Sequence, residues 1–476
     1  MPTIGTSIDI SALVDATVAG DRNQIITAAR LLLQQGAPTA ELTGRIGLIA
    51  ASGDSDGHAI LTLDAAGAIS RWAPALPPLA DQAPESHIRE LPLLVQALVA
   101  TAPAVRAGQA TQDSYPEPLY PSELPEGKTV NDMMHQAVYS NDATLVERLL
   151  LGLYGTGADY RTMEVRTYDG ISTTFQNAGH PLMLAVRGYQ LLDTVEWGDR
   201  APRILHWLTP HLALHTEEPA WVNDVRTFND DPAHSLASLR TRLAAPRPEN
   251  ALPLRRLIMS DADTTQVCQG VYDALIQGGA SSRDVGSVIA LTAAEVMQRV
   301  GDENRDAFVQ AAHGLLFSAA IRLVYTRVQD IEALPLLFTS AAYIHTLQKA
   351  LVQEASTAQM PAVPSTLLGG GLIAGALLDT LHEQLDAQDL NAAMSAARRY
   401  LRMGNDPRAL FAIIGLVAAR TDAAADQGHT LQIVQAAGEE LMAWPAALAD
   451  TNIDAFLHVA MRAAAFGKRN NLIVVA

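Results

Sequence analysis

An all-α fold is what this sequence predicts, on three observations. Ala and Leu dominate a composition that is 49% hydrophobic but only 5% aromatic; a β-sandwich or barrel would draw more on Val, Ile, Thr and aromatic side chains. Apolar residues recur three and four apart, as in Leu42, Ile46 and Ile49, the spacing of one helix face. Prolines cluster in three short segments, 115–128, 244–253 and 359–371, where helices cannot continue. A chain of 476 residues has room for two to four ordinary domains. The proline segments instead cut it into alike quarters, read as four copies of one helical unit packed into one compact helical domain around a shared centre. The expected copies are 1–115, 116–245, 246–357 and 358–476.

Each copy follows one grammar. A helix ends at Gly36, Gly157, Gly279 or Gly404, glycine being the residue that most readily turns left-handed just past a helix end. A second apolar-periodic helix follows, then a polar, turn-rich stretch. Gly-His or Ala-His is then expected to open a third amphipathic helix. Those histidines are His58, His180, His313 and His429, separated by 122, 133 and 116 residues. Two residues later each copy has an aliphatic side chain, Ile60, Leu182, Leu315 or Leu431, suited to packing inward.

Charge and cysteine usage narrow the chemistry. A net charge of −18 argues against a nucleic-acid backbone or an anionic membrane surface as partner. The single cysteine, Cys268, excludes an internal disulfide framework and any Cys-rich zinc or iron–sulfur site, and reads as inert core packing. Lysine occurs only at positions 128, 349 and 468, which narrows any chemistry needing an amine. The N-terminus shows no basic region followed by an apolar run, and the longest apolar stretches read as too short to span a bilayer. A cytoplasmic protein is the expectation.

A histidine in the first turn of a helix can simply cap or fill. Recurrence adds a second reading, because repeats packed about a common axis bring equivalent positions together. Neutral imidazole is the commonest protein ligand for iron, zinc, copper and nickel, so capping and metal binding both stand. Other constellations are weaker. His211 and His215 have the i, i+4 spacing of a metalloprotease helix, with His206 nearby, but no glutamate follows His211 as that motif requires. His135 and His234 are single and read as core or cap residues. No phosphate loop, nucleophile elbow or dinucleotide fingerprint is present.

The segments GHPLMLAVRGYQLL, AAHGLLFSAAIRLVY and QGHTLQIVQAAGEEL, with LLLGLYGTGAD, resemble the questin oxidase-like family, oxygenases of anthraquinone-type polyketides. The resemblance implies an all-helical fold and a mononuclear non-haem iron (Fe) held by four histidines and a carbamylated lysine. Carried over by position, the ligands are His58, His180, His313 and His429, with Lys349 as the modified lysine. His58 rests mainly on the internal repeat, since AILTLDAAGAISRW departs from the family pattern. A desolvated lysine amine can add carbon dioxide and become an anionic oxygen ligand; an ordinary surface lysine is the alternative for Lys349. Asp54, Asp56 and Asp426 are candidates for orienting the imidazoles. Trp72, Tyr154, Trp197 and Trp207 are candidates for a stacking wall.

The expected function is an iron-dependent oxygenase acting on an aromatic or quinol-like small-molecule substrate. Its electrons would come from that substrate or from a separate electron donor, since the chain lacks Rieske-type Cys-His pairs. Two rivals stand beside it: a non-catalytic helical-repeat scaffold with capping histidines, and a zinc hydrolase using the same ligands.

Overall fold

Capping residues begin many of the helices. Asp21 accepts from the Asn23 and Gln24 N–H groups, and Ser281 exchanges hydrogen bonds with Asp284 as a capping box, satisfying donors that a helix start leaves orphaned. The computed structural model describes residues 8–77, 89–213, 217–235, 247–301, 304–327, 331–352 and 374–468. Among the described residues the regular elements are helices and no strand forms, so the chain is all-α. The segment 359–371 and His215 lie outside the described residues.

In chain order the first quarter holds α1 (Ser11–Ala19), α2 (Arg22–Gln34), α3 (Thr39–Ala51), α4 (His58–Ser70) and α5 (Leu91–Ala110). Next come α6 (Val130–Tyr139), α7 (Ala143–Gly155), α8 (Tyr160–Gly170), α9 (His180–Val195), α10 (Ala201–Leu212) and α11 (Ala220–Asp230). The third quarter gives α12 (Pro253–Ile258), α13 (Thr264–Tyr272), α14 (Ser282–Arg299), α15 (Arg305–Arg327) and α16 (Pro335–Leu351). The last gives α17 (Ala374–Asp386), α18 (Leu390–Arg402), α19 (Pro407–Ala418), α20 (His429–Met442) and α21 (Asp454–Phe466). The order helix, left-handed glycine, helix, histidine-bearing helix recurs in each quarter, with Gly36, Gly157, Gly279 and Gly404 at φ of 84°, 81°, 70° and 75°.

The four histidine-bearing helices occupy the interior. α4 packs on α9, α9 on α15, α15 on α20 and α20 back on α4. In α4 every residue after His58 is buried, and α9 and α20 are nearly as enclosed; helices apolar all round belong at the centre of a fold. α3, α8, α14 and α19 each lie against the histidine-bearing helix of their own quarter. One buried apolar cluster runs from Ile10 to Ala465.

Two sequence expectations are corrected here. His313 does not open a helix: it sits inside α15, eight residues after Arg305. Ala312 precedes it where the other three copies have glycine, and nothing in RDAFVQAA stops the helix running through. Two helices, Leu91–Ala110 and Arg305–Thr326, are long and apolar enough to cross a membrane, contrary to the reading of the apolar stretches. Within this fold 61% and 78% of their apolar windows are buried, as in core helices. Cys268 is fully buried, and burial pushes its thiol up to about 12, which suits the core role expected of it.

Candidate metal centre

The turns that deliver the histidines are built from left-handed backbone. Gly57, Gly179 and Gly428, each just before a histidine, have φ of 83°, 86° and 73°. In two of the turns non-glycine residues share that region: Asn177 and Ala178 (φ 44° and 53°) and Gln427 (φ 54°). Such residues cost on the order of 1–3 kcal/mol each and persist where the surroundings enforce them. The three glycines also sit against the neighbouring helix of the ring. A Cβ on Gly57 would lie 2.4 Å from Leu184, one on Gly179 2.4 Å from Phe317, and one on Gly428 2.0 Å from Thr62. Leu184, Phe317 and Thr62 each stand four residues after the histidine of their own helix, so one packing rule recurs at three of the four corners.

The result is a closed ring of imidazoles. Ring centroids are 5.2 Å apart for His58–His180, 5.0 Å for His180–His313, 4.9 Å for His313–His429 and 5.4 Å for His429–His58. One ligand atom from each of His58, His180 and His429 falls within 4.8 Å of the others. His313 joins through its Nε2, 3.2 Å from His429 Nε2.

Hydrogen bonds behind the rings decide which nitrogens face the centre. His180 Nδ1 lies 2.6 Å from the Asn177 carbonyl, and His429 Nδ1 lies 2.6 Å from that of Asp426. A carbonyl only accepts, so each Nδ1 donates its hydrogen and each Nε2 of the neutral ring is left with a bare lone pair. The Val309 backbone, one turn back, also interacts with the His313 ring. His58 Nδ1 is 3.4 Å from Asp56 Oδ1; that is an electrostatic contact without hydrogen-bond geometry, and both His58 ring nitrogens are buried with no hydrogen-bond partner. Burial holds the His180 imidazolium down to about 4 and that of His313 to about 3, with the neighbouring histidines adding to the effect. The His429 ring is lowered too, again mainly by burial.

Neutral imidazoles with converging lone pairs repel unless a cation or proton sits between them. Two nitrogens bound at right angles to one ion, each at about 2.0–2.1 Å, are about 3 Å apart. The 3.2 Å between His313 and His429 Nε2 matches that spacing, and the orphaned His58 nitrogens fit the same purpose. The residues present therefore fit a transition-metal ion.

No protein-family model, characterised protein or solved structure matches this chain. Geometry alone sorts the remaining candidates. Lys349 is not brought to the ring. It is exposed on α16, and its Nζ donates to the Ala262 carbonyl at 2.6 Å. Tyr343, Thr346, Leu347 and Ala350, on another face of α16, line a cleft with His313 and His429, whereas Lys349 shares its face with His345, which also bonds Ala262. Asp56 stands beside His58 as expected. Asp426 orients His429 through its backbone carbonyl, while its carboxylate takes the Gly428 and Thr430 N–H groups. Asp54 accepts from the Ala59 and Ile60 N–H groups at the start of α4, and burial raises it to about 6.

None of the four aromatics expected as a stacking wall lines the cleft. Trp72 packs on Phe411, Tyr154 on Trp197, and Trp207 donates to the Asp54 carbonyl. The wall is instead Phe175, Trp221 and Tyr343, from a loop, α11 and α16, bordering a cleft of about 740 Å³. These three are scattered in sequence, and no local pattern marked them. His211 of α10 also proves a neighbour of the ring: its charge is felt at His180, and the charges of His58 and Asp56 at His211. His206 pairs with Glu147 at 2.7 Å, His135 with Asp169 at 3.2 Å, and His234 stacks on Phe228.

Proposed function

We propose that the protein is a non-haem iron oxygenase acting on an aromatic small molecule, with His58, His180, His313 and His429 as ligands. The observation that carries the metal site is the ring of four inward-facing imidazoles, with two Nε2 atoms 3.2 Å apart and buried His58 nitrogens that nothing else satisfies. Iron is favoured over zinc by the resemblance of the histidine helices to the questin oxidase-like family, and by an aromatic-walled cleft that reaches two of the four ligands.

Iron held there would supply dioxygen activation. The chain's own residues do the rest. The Asn177 and Asp426 carbonyls hold the His180 and His429 tautomers that turn lone pairs inward. Burial lowers the His180, His313 and His429 imidazoliums, so protons compete less for their lone pairs near neutral pH. Phe175, Trp221 and Tyr343 offer a face for a flat substrate and keep water from one side of the cleft. A separate electron donor is needed wherever the substrate does not supply the electrons.

The test is elemental analysis of protein purified without added metal or a histidine tag, beside the His180→Ala/His313→Ala double variant. Near-stoichiometric iron lost in the variant supports the reading, and oxygen uptake with hydroxylated aromatics then follows. Zinc in its place moves the assignment to hydrolysis. No metal in the parent, even after anaerobic reconstitution with ferrous iron, leaves a helical scaffold.

A further inference from the structure

We propose that the cleft beside His313 and His429 binds a planar aromatic molecule carrying one acidic group, and that Arg305 selects the acid. This deepens the oxygenase reading and rests on it for the identity of the reacting centre. The volume, about 740 Å³, suits a ligand of two or three fused rings. Phe175 contacts Tyr343 at 4.6 Å and Trp221 at 4.9 Å between centroids, and the Trp221 and Tyr343 planes are within 16° of parallel. The near-parallel Trp221 and Tyr343 faces, with Phe175 tilted 52–54° against them, favour a flat partner.

Beside the wall the lining is polar, and Arg305 is its one guanidinium or ammonium group among the described residues. Arg305 begins α15, is exposed, and lines the cleft together with His429. Among the described residues its guanidinium meets the Asp426 carboxylate at 3.8 Å, beyond hydrogen-bond reach. Asp426 is already engaged by the Gly428 N–H, the Thr430 N–H and the Thr430 hydroxyl. A guanidinium so placed keeps its planar donor pair for a carboxylate or phenolate on a ligand. The histidine ring works in the same direction: imidazoles carry no negative charge to offset a bound cation, and Lys349 lies elsewhere. Asp306 and Asp426 are the two carboxylates of the lining, and they oppose any second acidic group that Arg305 does not hold.

The experiment is titration calorimetry on the metal-free full-length protein with 2-naphthoate and its neutral counterpart, naphthalene-2-carboxamide. Naphthoate is expected to bind at least about tenfold more tightly than the amide, the range of one charge-assisted hydrogen-bonded contact. That preference should vanish in Arg305→Gln and be partly kept in Arg305→Lys. Trp221→Ala should weaken both ligands alike. Equal affinity for acid and amide, an unchanged preference in Arg305→Gln, or no binding of either compound overturns the proposal. Because the protein is metal-free, the two readings separate. Acid binding through Arg305 in a protein that takes up no iron sinks the oxygenase reading alone, and iron binding without acid preference sinks this one alone.

Discussion

Acidification of the metal-free protein tests the buried histidine ring most directly. His180 and His313 titrate at about 4 and about 3 in the folded chain, against about 6.5 when unfolded. A folded pKa below the unfolded one means the unfolded chain binds more protons. The stability these groups confer is therefore complete above pH 6.5 and is lost as pH falls towards their folded values. Between pH 7 and pH 5 each costs about 1.9 kcal/mol, roughly 4 kcal/mol for the pair. Other groups pull the opposite way over that interval: burial raises Asp54 to about 6 and Glu440 to about 7, and the Asp169 hydrogen bond raises His135. The parent's own slope is thus a sum of opposed contributions. The informative quantity is the difference between the parent and the His180→Gln/His313→Gln double variant, both metal-free, from urea unfolding at pH 7 and pH 5. The variant should lose about 4 kcal/mol less than the parent across the interval. An equal loss in both proteins would refute the claim that these rings are buried and neutral.

Four further outcomes follow from the packing. Gly179→Ala puts a methyl group 2.4 Å from Phe317 at a φ of 86°, and should destabilise by about 2–4 kcal/mol, the sum of overpacking and left-handed strain, read by thermal unfolding. Arg322 and Glu440 form an ion pair on α15 and α20, with almost no exposure on either side chain. Arg322→Met strands a buried carboxylate and should cost roughly 3–5 kcal/mol in chemical denaturation, whereas Glu440→Gln should cost clearly less. Lys349→Ala should leave metal content unchanged by elemental analysis, since its amine lies at Ala262; loss of the metal would restore the carbamate ligand. Asp56→Asn removes a carboxylate 3.4 Å from His58 Nδ1 that makes no hydrogen bond to the ring, and should weaken metal affinity by less than about tenfold in a chelator competition, below the range of a hydrogen-bonded orienting group.

Much of this was legible in one dimension because its causes are local. Helix ends are written by left-handed glycines and by side-chain caps, so Gly36, Gly157, Gly279 and Gly404 marked real boundaries. His58, His180 and His429 stand at helix starts because a glycine before each permits a turn that no side chain could share with the neighbouring helix. His313 broke the pattern for an equally local reason, the absence of any residue before it that stops a helix. The proline-rich segments and composition indicated an all-helical chain for the same reason, since each acts on its own stretch of backbone.

What the sequence by itself determined about this protein is therefore the helices, their ends and the positions of four recurrent histidines. Only the tertiary structure decided that α4, α9, α15 and α20 close into a ring and bring their four imidazoles together. It also decided that Lys349 points to Ala262, that Phe175, Trp221 and Tyr343 form one wall, and that His211 stands near His58. These are contacts between residues tens to hundreds of positions apart. They arise from how buried helix faces pack against one another, and side-chain direction across such an interface depends on helix rotation and crossing geometry that no local spacing encodes.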